Sequence, residues 1–332
     1  VCMKKTRMVQ SRSRHGSDCY TFEVLFENDI EYLPEQVLIS EQGKKYGTVK
    51  VEGGKAIVNL VLPRFLRENN IRPFSLKDAE CFKTILSDCE TQLGKVLGKV
   101  LDSKVKSVEV NVTQVVSGKG KQSEVLNLLN HACLTSKRDN IKYVGPSIHC
   151  QYREEVKTII FMKTKYYILK AYDKTEQQKR EFIEQKQESE TVPYGLLRIE
   201  IIMLERVLMK LFGDKRTLSD VFSRKGLLLL LMEYKRIFCD EIRSKRIIPY
   251  LSFCVNHLFE SLCETDDPIS TIAKERELIP DKEVLYRALK KWKVKKGESI
   301  HNLRRAVNKY TELYGLPQDA IMTIRDFRKA CG

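Results

Sequence analysis

Between Val156 and Leu204 the chain carries two apolar runs, VKTIIFMKTKYYILKAYDK and VPYGLLRIEIIML, separated by a charged spacer. Their β-branched and aromatic residues suit a pleated, half-buried surface, so both read as strands. Each strand presents a reactive group, Tyr172 in the first and Glu200 in the second. A phenol and a carboxylate on adjacent strands suit phosphoryl transfer, whereas a strand tyrosine is more commonly packing. The surrounding chain has to supply the sheet.

It does so on both sides. From Tyr20 the runs YTFEVLF, EQVLI, GTVKVEGG and KAIVNLVL are broken at Glu27-Asn28-Asp29, Gly43 and Gly53-Gly54, the pattern of an antiparallel meander. Ser75 followed by Asp78 resembles a helix cap, and apolar residues from Leu76 to Leu97 recur at helical spacing, predicting a helix over 76–98. In VKSVEVNVTQVV, Val108, Val110 and Val112 share one face of a strand while Glu109, Asn111 and Thr113 share the other. A second helix starts near Ser123, and NIKYVG and SIHCQY read as short extended pieces. The spacer 173–190 reads as an exposed helix or an ordered loop, stopped by Pro193-Tyr194-Gly195. After Leu204 the periodicity is helical throughout. The expected fold class is α+β: a flexible basic arm at 1–18, an antiparallel-sheet domain at 19–212, and an all-helical domain at 217–332.

The 332 residues carry 59 Lys and Arg against 44 Asp and Glu, a formal charge of +15 that attracts polyanions, nucleic acid first among them. The ten cysteines are scattered without a Cys-x-x-Cys pair, which argues against zinc and a disulfide scaffold and for buried thiols in a reducing cytoplasm. No apolar run reaches a membrane-spanning length, so no membrane partner is expected. A Gly-x-x-x-x-Gly-Lys-Ser/Thr phosphate loop is absent, and so is the His-x-His pair of many DNA-nicking enzymes. His149, the histidine nearest the two strands, reads as a metal ligand or, more blandly and better, as a hydrogen-bonded strand histidine.

The segments SVEVNVT (107–113), LKAYDK (169–174) and LRIEI (197–201) follow one another in order and spacing like the motifs of a known family. Over roughly residues 100–210 the chain resembles the filamentous-phage and plasmid gene II/X replication initiators, rolling-circle nicking proteins. The resemblance implies that Tyr172 is the nucleophile, that Lys174 is the lysine of the Ala-Tyr-x-Lys element, and that Arg198 and Glu200 form the Arg-x-Glu element. The first element departs from the pattern, with Ser107 where arginine is usual and Glu109 where aspartate is usual.

Residue chemistry is compatible with those roles. A phenol with a pKa near 10 needs a cation or base beside it to act as a nucleophile at neutral pH. Lys170 and Lys174 lie two residues to either side of Tyr172, so strand alternation predicts both on its face, able to lower its pKa or hold the scissile phosphate. Glu109 and Glu200 offer oxygen ligands for Mg²⁺ or Mn²⁺. Attack on a DNA phosphodiester would leave a 5′-phosphotyrosine and a free 3′-hydroxyl without a nucleotide cofactor. Arg198, alternating onto the face of Glu200, reads equally as its ion partner or as a phosphate clamp.

Further on, Lys290, Lys291, Trp292, Lys293, Arg304 and Arg305 suggest either a DNA-backbone surface with base stacking or a solvated helix face. The two helices that carry them could form a helix-turn-helix element. The expected activity is metal-dependent nicking of origin DNA in a bacterial host cytoplasm, with a host helicase or polymerase as a further partner. A conjugative relaxase and a non-catalytic origin-binding protein are the alternatives.

Overall fold

The structure, a computed structural model, describes residues 14–25, 36–41, 43, 45–52, 55–67, 73–93, 102–116, 121–134, 140–142, 159–184, 195–265 and 267–330. Nine strands form one sheet: β1 (Arg14–Leu25), β2 (Gln36–Ile39), β3 (Lys45–Glu52), β4 (Lys55–Val61), β5 (Lys104–Val115), β6 (Asn140–Lys142), β7 (Ile159–Lys163), β8 (Tyr167–Asp173) and β9 (Leu196–Leu204). Their order is β2-β3-β4-β1-β5-β9-β8-β7-β6. Every neighbouring pair is antiparallel. The α+β class therefore holds. β1 begins at Arg14, inside the stretch expected to be an arm, and its backbone pairs with β5 from Arg14 onward. The Gly53-Gly54 turn lies outside the described residues, but Glu52 pairs with Lys55 across it.

The first helices are short: α1 (Leu62–Leu66) follows β4, and α2 (Phe82–Leu93) continues a 3₁₀ turn at Leu76–Cys81. That turn opens with the expected capping box, in which Asp78 accepts the Ser75 backbone N–H at 2.8 Å. Then come α3 (Lys121–Leu134) and α4 (Lys174–Glu184). Beyond the sheet lie α5 (Glu205–Phe212), α6 (Leu218–Phe222), α7 (Arg224–Arg236), α8 (Ile248–Thr265), α9 (Pro268–Lys274), α10 (Lys282–Lys295), α11 (Leu303–Tyr314) and α12 (Ala320–Ala330). The helical run from Ser219 to Phe238 breaks at Ser223, whose side chain accepts the Gly226 N–H at 2.9 Å and starts α7. Between α7 and α8 the residues Ile237–Ile247 wind with i→i+5 bonding, so the two helices run on without a loop.

The expected domain boundary at 212–217 is not a break in the core. Lys104 bridges Thr217, and the backbone N–H of Val105 donates to the Arg216 carbonyl at 3.1 Å, so this segment bonds to the start of β5 just beyond the end of β9. Phe222 of α6 packs its ring 4.2 Å from that of Tyr20 on β1 and 5.5 Å from that of Phe74. One apolar core then joins the sheet to Leu227, Leu230 and Tyr234 of α7, to Cys254 and Val255 of α8, and to Ile324 and Phe327 of α12. A second core gathers Leu258 and Leu262 of α8 with Leu285, Leu289 and Trp292 of α10 and Leu303 and Val307 of α11. The division between cores runs through α8, because one helix long enough to reach both can bury its two ends in different places.

Candidate active site

Strand register assembles the site. β8 and β9 pair so that Lys170 stands opposite Glu200 and Tyr172 opposite Arg198. β9 and β5 pair so that Glu200 stands opposite Asn111 and Arg198 opposite Thr113. Cross-strand partners share a face, so Lys170, Tyr172, Arg198, Glu200, Asn111, Thr113 and, by alternation, Glu109 form one polar strip. The opposite face of the same strands carries Val110, Val112, Leu169, Ala171, Ile199 and Ile201 into the core. Gly195 sets the entry of β9: its φ is +81°, its carbonyl accepts the Val116 N–H at 2.7 Å, and a Cβ there would stand 2.4 Å from the Val116 oxygen.

Within the strip the Tyr172 phenol donates to Glu200 Oε1. Lys170 Nζ donates to Glu109 Oε2 at 3.3 Å and lies 3.8 Å from Glu200 Oε2. Arg198 Nε donates to Thr113 Oγ1 at 2.7 Å, with Nη1 3.9 Å from Glu200 Oε1. Tyr172, Glu200 and Arg198 are buried at 7%, 4% and 0% exposure, so the charges here act through protein more than through water. Asn111 is also 0% exposed, and its side-chain oxygen and nitrogen find no hydrogen-bond partner among the described residues.

Two expectations about the lysines change. β8 ends at Asp173, and Lys174 is the first residue of α4 rather than a strand residue. It is fully buried, donates to Gln177 Oε1 at 2.8 Å, and sits 5.9 Å from the centre of the Tyr172 ring, beside the aromatic face. The spacer is thus a helix over its described part, with Thr175 and Gln178 buried as well rather than wholly exposed. The Tyr172 phenol is not activated in this state: burial, then the charge of Glu200, push its pKa well above the ordinary value, Arg198 opposes them, and Glu109 adds to the rise.

Glu109 and Glu200 face one ammonium and offer oxygens suited to a hard cation such as Mg²⁺ or Mn²⁺. Among the described residues no three His, Cys, Asp or Glu side chains cluster as a metal site. His149 lies outside the described residues.

The basic helices stand apart from the strip. Trp292 is buried in the second core with Lys296 Nζ 4.6 Å from its ring centre, so it is a packing residue and not an exposed platform for bases. Lys290, Lys291, Arg304 and Arg305 are exposed on α10 and α11; Lys293 is half-buried and bonded to Glu298 at 2.9 Å. Lys291 is bonded to Asn256 at 2.9 Å, and Arg304 lies 5.7 Å from the Tyr286 ring centre.

Asn111 and Thr113 are the members of the strip that sequence reasoning placed beside Glu109 without giving them a role. Alternation put them on the right face, but only strand order shows that they meet Glu200 and Arg198. No protein-family model matches the chain, and no curated protein sequence matches it either. Among the described residues no helix is long and apolar enough to cross a membrane.

Proposed function

We propose that the chain is a rolling-circle replication initiator that nicks one strand of origin DNA through Tyr172. The observation that carries this reading is the Tyr172 phenol hydrogen-bonded to the Glu200 carboxylate on a strip that also holds Lys170, Arg198 and Glu109. In the nicking step the Tyr172 Oη–P bond forms and the bond from phosphorus to the 3′ oxygen breaks. The phenol proton passes to Glu200 Oε1, which already accepts it in a hydrogen bond, and the departing 3′ oxygen takes a proton from water. Lys170 and Arg198 balance the charge that gathers on the phosphoryl oxygens. A divalent cation held by Glu109 and Glu200 supplies Lewis-acid polarisation of the phosphodiester when bound. The exposed cations of α10 and α11 contact duplex backbone, and the 3′-hydroxyl primes a host polymerase in a bacterial cytoplasm.

Supercoiled plasmid carrying the gene and its flanking DNA, incubated with the protein and Mn²⁺, is expected to yield nicked circles and a denaturation-resistant protein–DNA adduct. Tyr172→Phe is expected to abolish the adduct. An adduct that survives this change removes Tyr172 as nucleophile. One observation favours a second reading, a DNA-binding protein without catalysis: Tyr172 is 7% exposed and its phenol is held protonated, so a phosphodiester reaches it only after the site opens. Salt-dependent binding of the same plasmid without any nicked product would favour that reading.

A further inference from the structure

The carboxylates Glu109 and Glu200 share a face with a buried polar side chain that has no hydrogen-bond partner among the described residues. Asn111 is fully buried, alternates onto the face of Glu109 on β5, stands opposite Glu200 on β9, and leaves both side-chain polar atoms without a partner among the described residues. Burying an amide unbonded is costly, and native proteins complete such groups with an ion, a ligand or an ordered water. Lys170 enters the same place from β8. Its ammonium contacts Glu109 at 3.3 Å and Glu200 at 3.8 Å, longer than the 2.7–2.9 Å or so of a close charge-assisted bond. The side chain is 30% exposed, on a flexible stem that can swing to solvent.

We propose that Glu109, Asn111 and Glu200 form a three-oxygen site for a divalent cation, with the amide oxygen of Asn111 as the third ligand, and that Lys170 holds this place until the metal displaces it. The inference rests on reading the two glutamates as metal ligands. Carboxylate and amide oxygens are the donors that Mg²⁺ and Mn²⁺ prefer. One ammonium and one divalent ion cannot both sit between the same two carboxylates, so each weakens the other's hold. The displaced Lys170 remains two residues from Tyr172 on the same face, where an anionic phosphate would receive it. The lysine therefore has two positions, one neutralising the metal-free site and one serving the substrate.

The test is Mn²⁺ binding by the full chain without DNA, followed by electron paramagnetic resonance of the free ion, together with the melting midpoint with and without Mn²⁺. Lys170→Met is expected to bind Mn²⁺ at least about ten-fold more tightly than the natural chain and to gain more in midpoint from the metal, because the competing ammonium is gone. Asn111→Leu, which keeps the branched side-chain skeleton but has no oxygen to offer, is expected to bind Mn²⁺ at least about ten-fold more weakly. Asn111→Asp adds a charge to the same position and is expected to bind more tightly, which keeps the test open should the leucine variant fail to fold. Equal Mn²⁺ affinity in the natural chain, Lys170→Met and Asn111→Asp overturns the inference. A chain that follows the expected binding pattern yet nicks nothing removes the nicking reading alone; a chain that nicks while all variants bind Mn²⁺ equally removes this inference alone.

Discussion

Arg198 is a fully buried guanidinium whose neighbours include Thr113 and the Glu200 carboxylate, so Glu200 has a structural duty whatever its chemistry. Removing one partner of a buried ion pair costs several kcal/mol, because the remaining charge loses its compensation in a medium that solvates it poorly. Glu200→Ala is therefore expected to lower unfolding free energy by roughly 3 kcal/mol, a loss that would obscure any effect on nicking. Glu200→Gln keeps the shape and an acceptor for the Tyr172 phenol, and is expected to cost about half as much. Urea unfolding of the two variants checks this; equal losses would mean that Arg198 does not depend on the carboxylate. The same residues show how far single positions were legible. Strand alternation placed Glu109, Asn111 and Thr113 on one face, but that Arg198 bonds Thr113 needed the knowledge that β9 lies beside β5.

Elements join through their ends. Asp281 caps α10 by accepting the Glu283 N–H at 2.8 Å and also accepts the Ile321 N–H, at the start of α12, at 2.9 Å. Burial pushes its carboxyl up to about 6 from an ordinary 3.8, against the opposing pull of those hydrogen bonds. A folded-state pKa above the unfolded one means that the folded chain holds this proton more firmly. The stability this contributes is complete below pH 3.8 and is lost as pH rises through about 6. Asp281→Asn cannot titrate, so the difference in stability between the natural chain and the variant should change by on the order of 2 kcal/mol between pH 4 and 6. Parallel pH profiles for the two proteins would rule out Asp281 as the source. Capping residues such as Ser75, with its box partner Asp78, are visible in sequence because the partners are three residues apart. The bond from Asp281 to Ile321 spans forty positions and has no local sign.

At the scale of the molecule, the first core takes side chains from β1 at one end of the sequence and from α12 at the other. A chain ending at 212 would lose Val221, Phe222, Leu227, Leu230 and Tyr234 from that core, and each large buried side chain of this kind stabilises the fold by about 1.5–3 kcal/mol. The fragment 1–212 is expected to show no cooperative thermal transition by circular dichroism. A sharp, reversible transition would mean that the sheet is stable without α6 and α7. The change from strand to helical periodicity after Leu204 marks a change of secondary structure, which sequence pattern reports directly. It does not mark a domain, because domains are set by which apolar faces meet.

That contrast returns to the stretch from Val156 to Leu204. Its composition and period by themselves determined that it is extended on both sides of the charged spacer, that Lys170 and Tyr172 lie on one face of their strand and that Arg198 and Glu200 lie on one face of theirs, since alternation is a local property of extended backbone. Pairing split the first run into β7 and β8 and set the two faces together. Tertiary structure alone decided that β9 lies between β5 and β8, which brings Glu109 and Asn111 to Glu200 and bonds Arg198 to Thr113. It alone decided that Lys174 turns into a helix and is buried. It also decided that the Tyr172 phenol is held protonated against a carboxylate, because the pKa of a side chain depends on the water and charges around it, and those come from parts of the chain far from it in sequence.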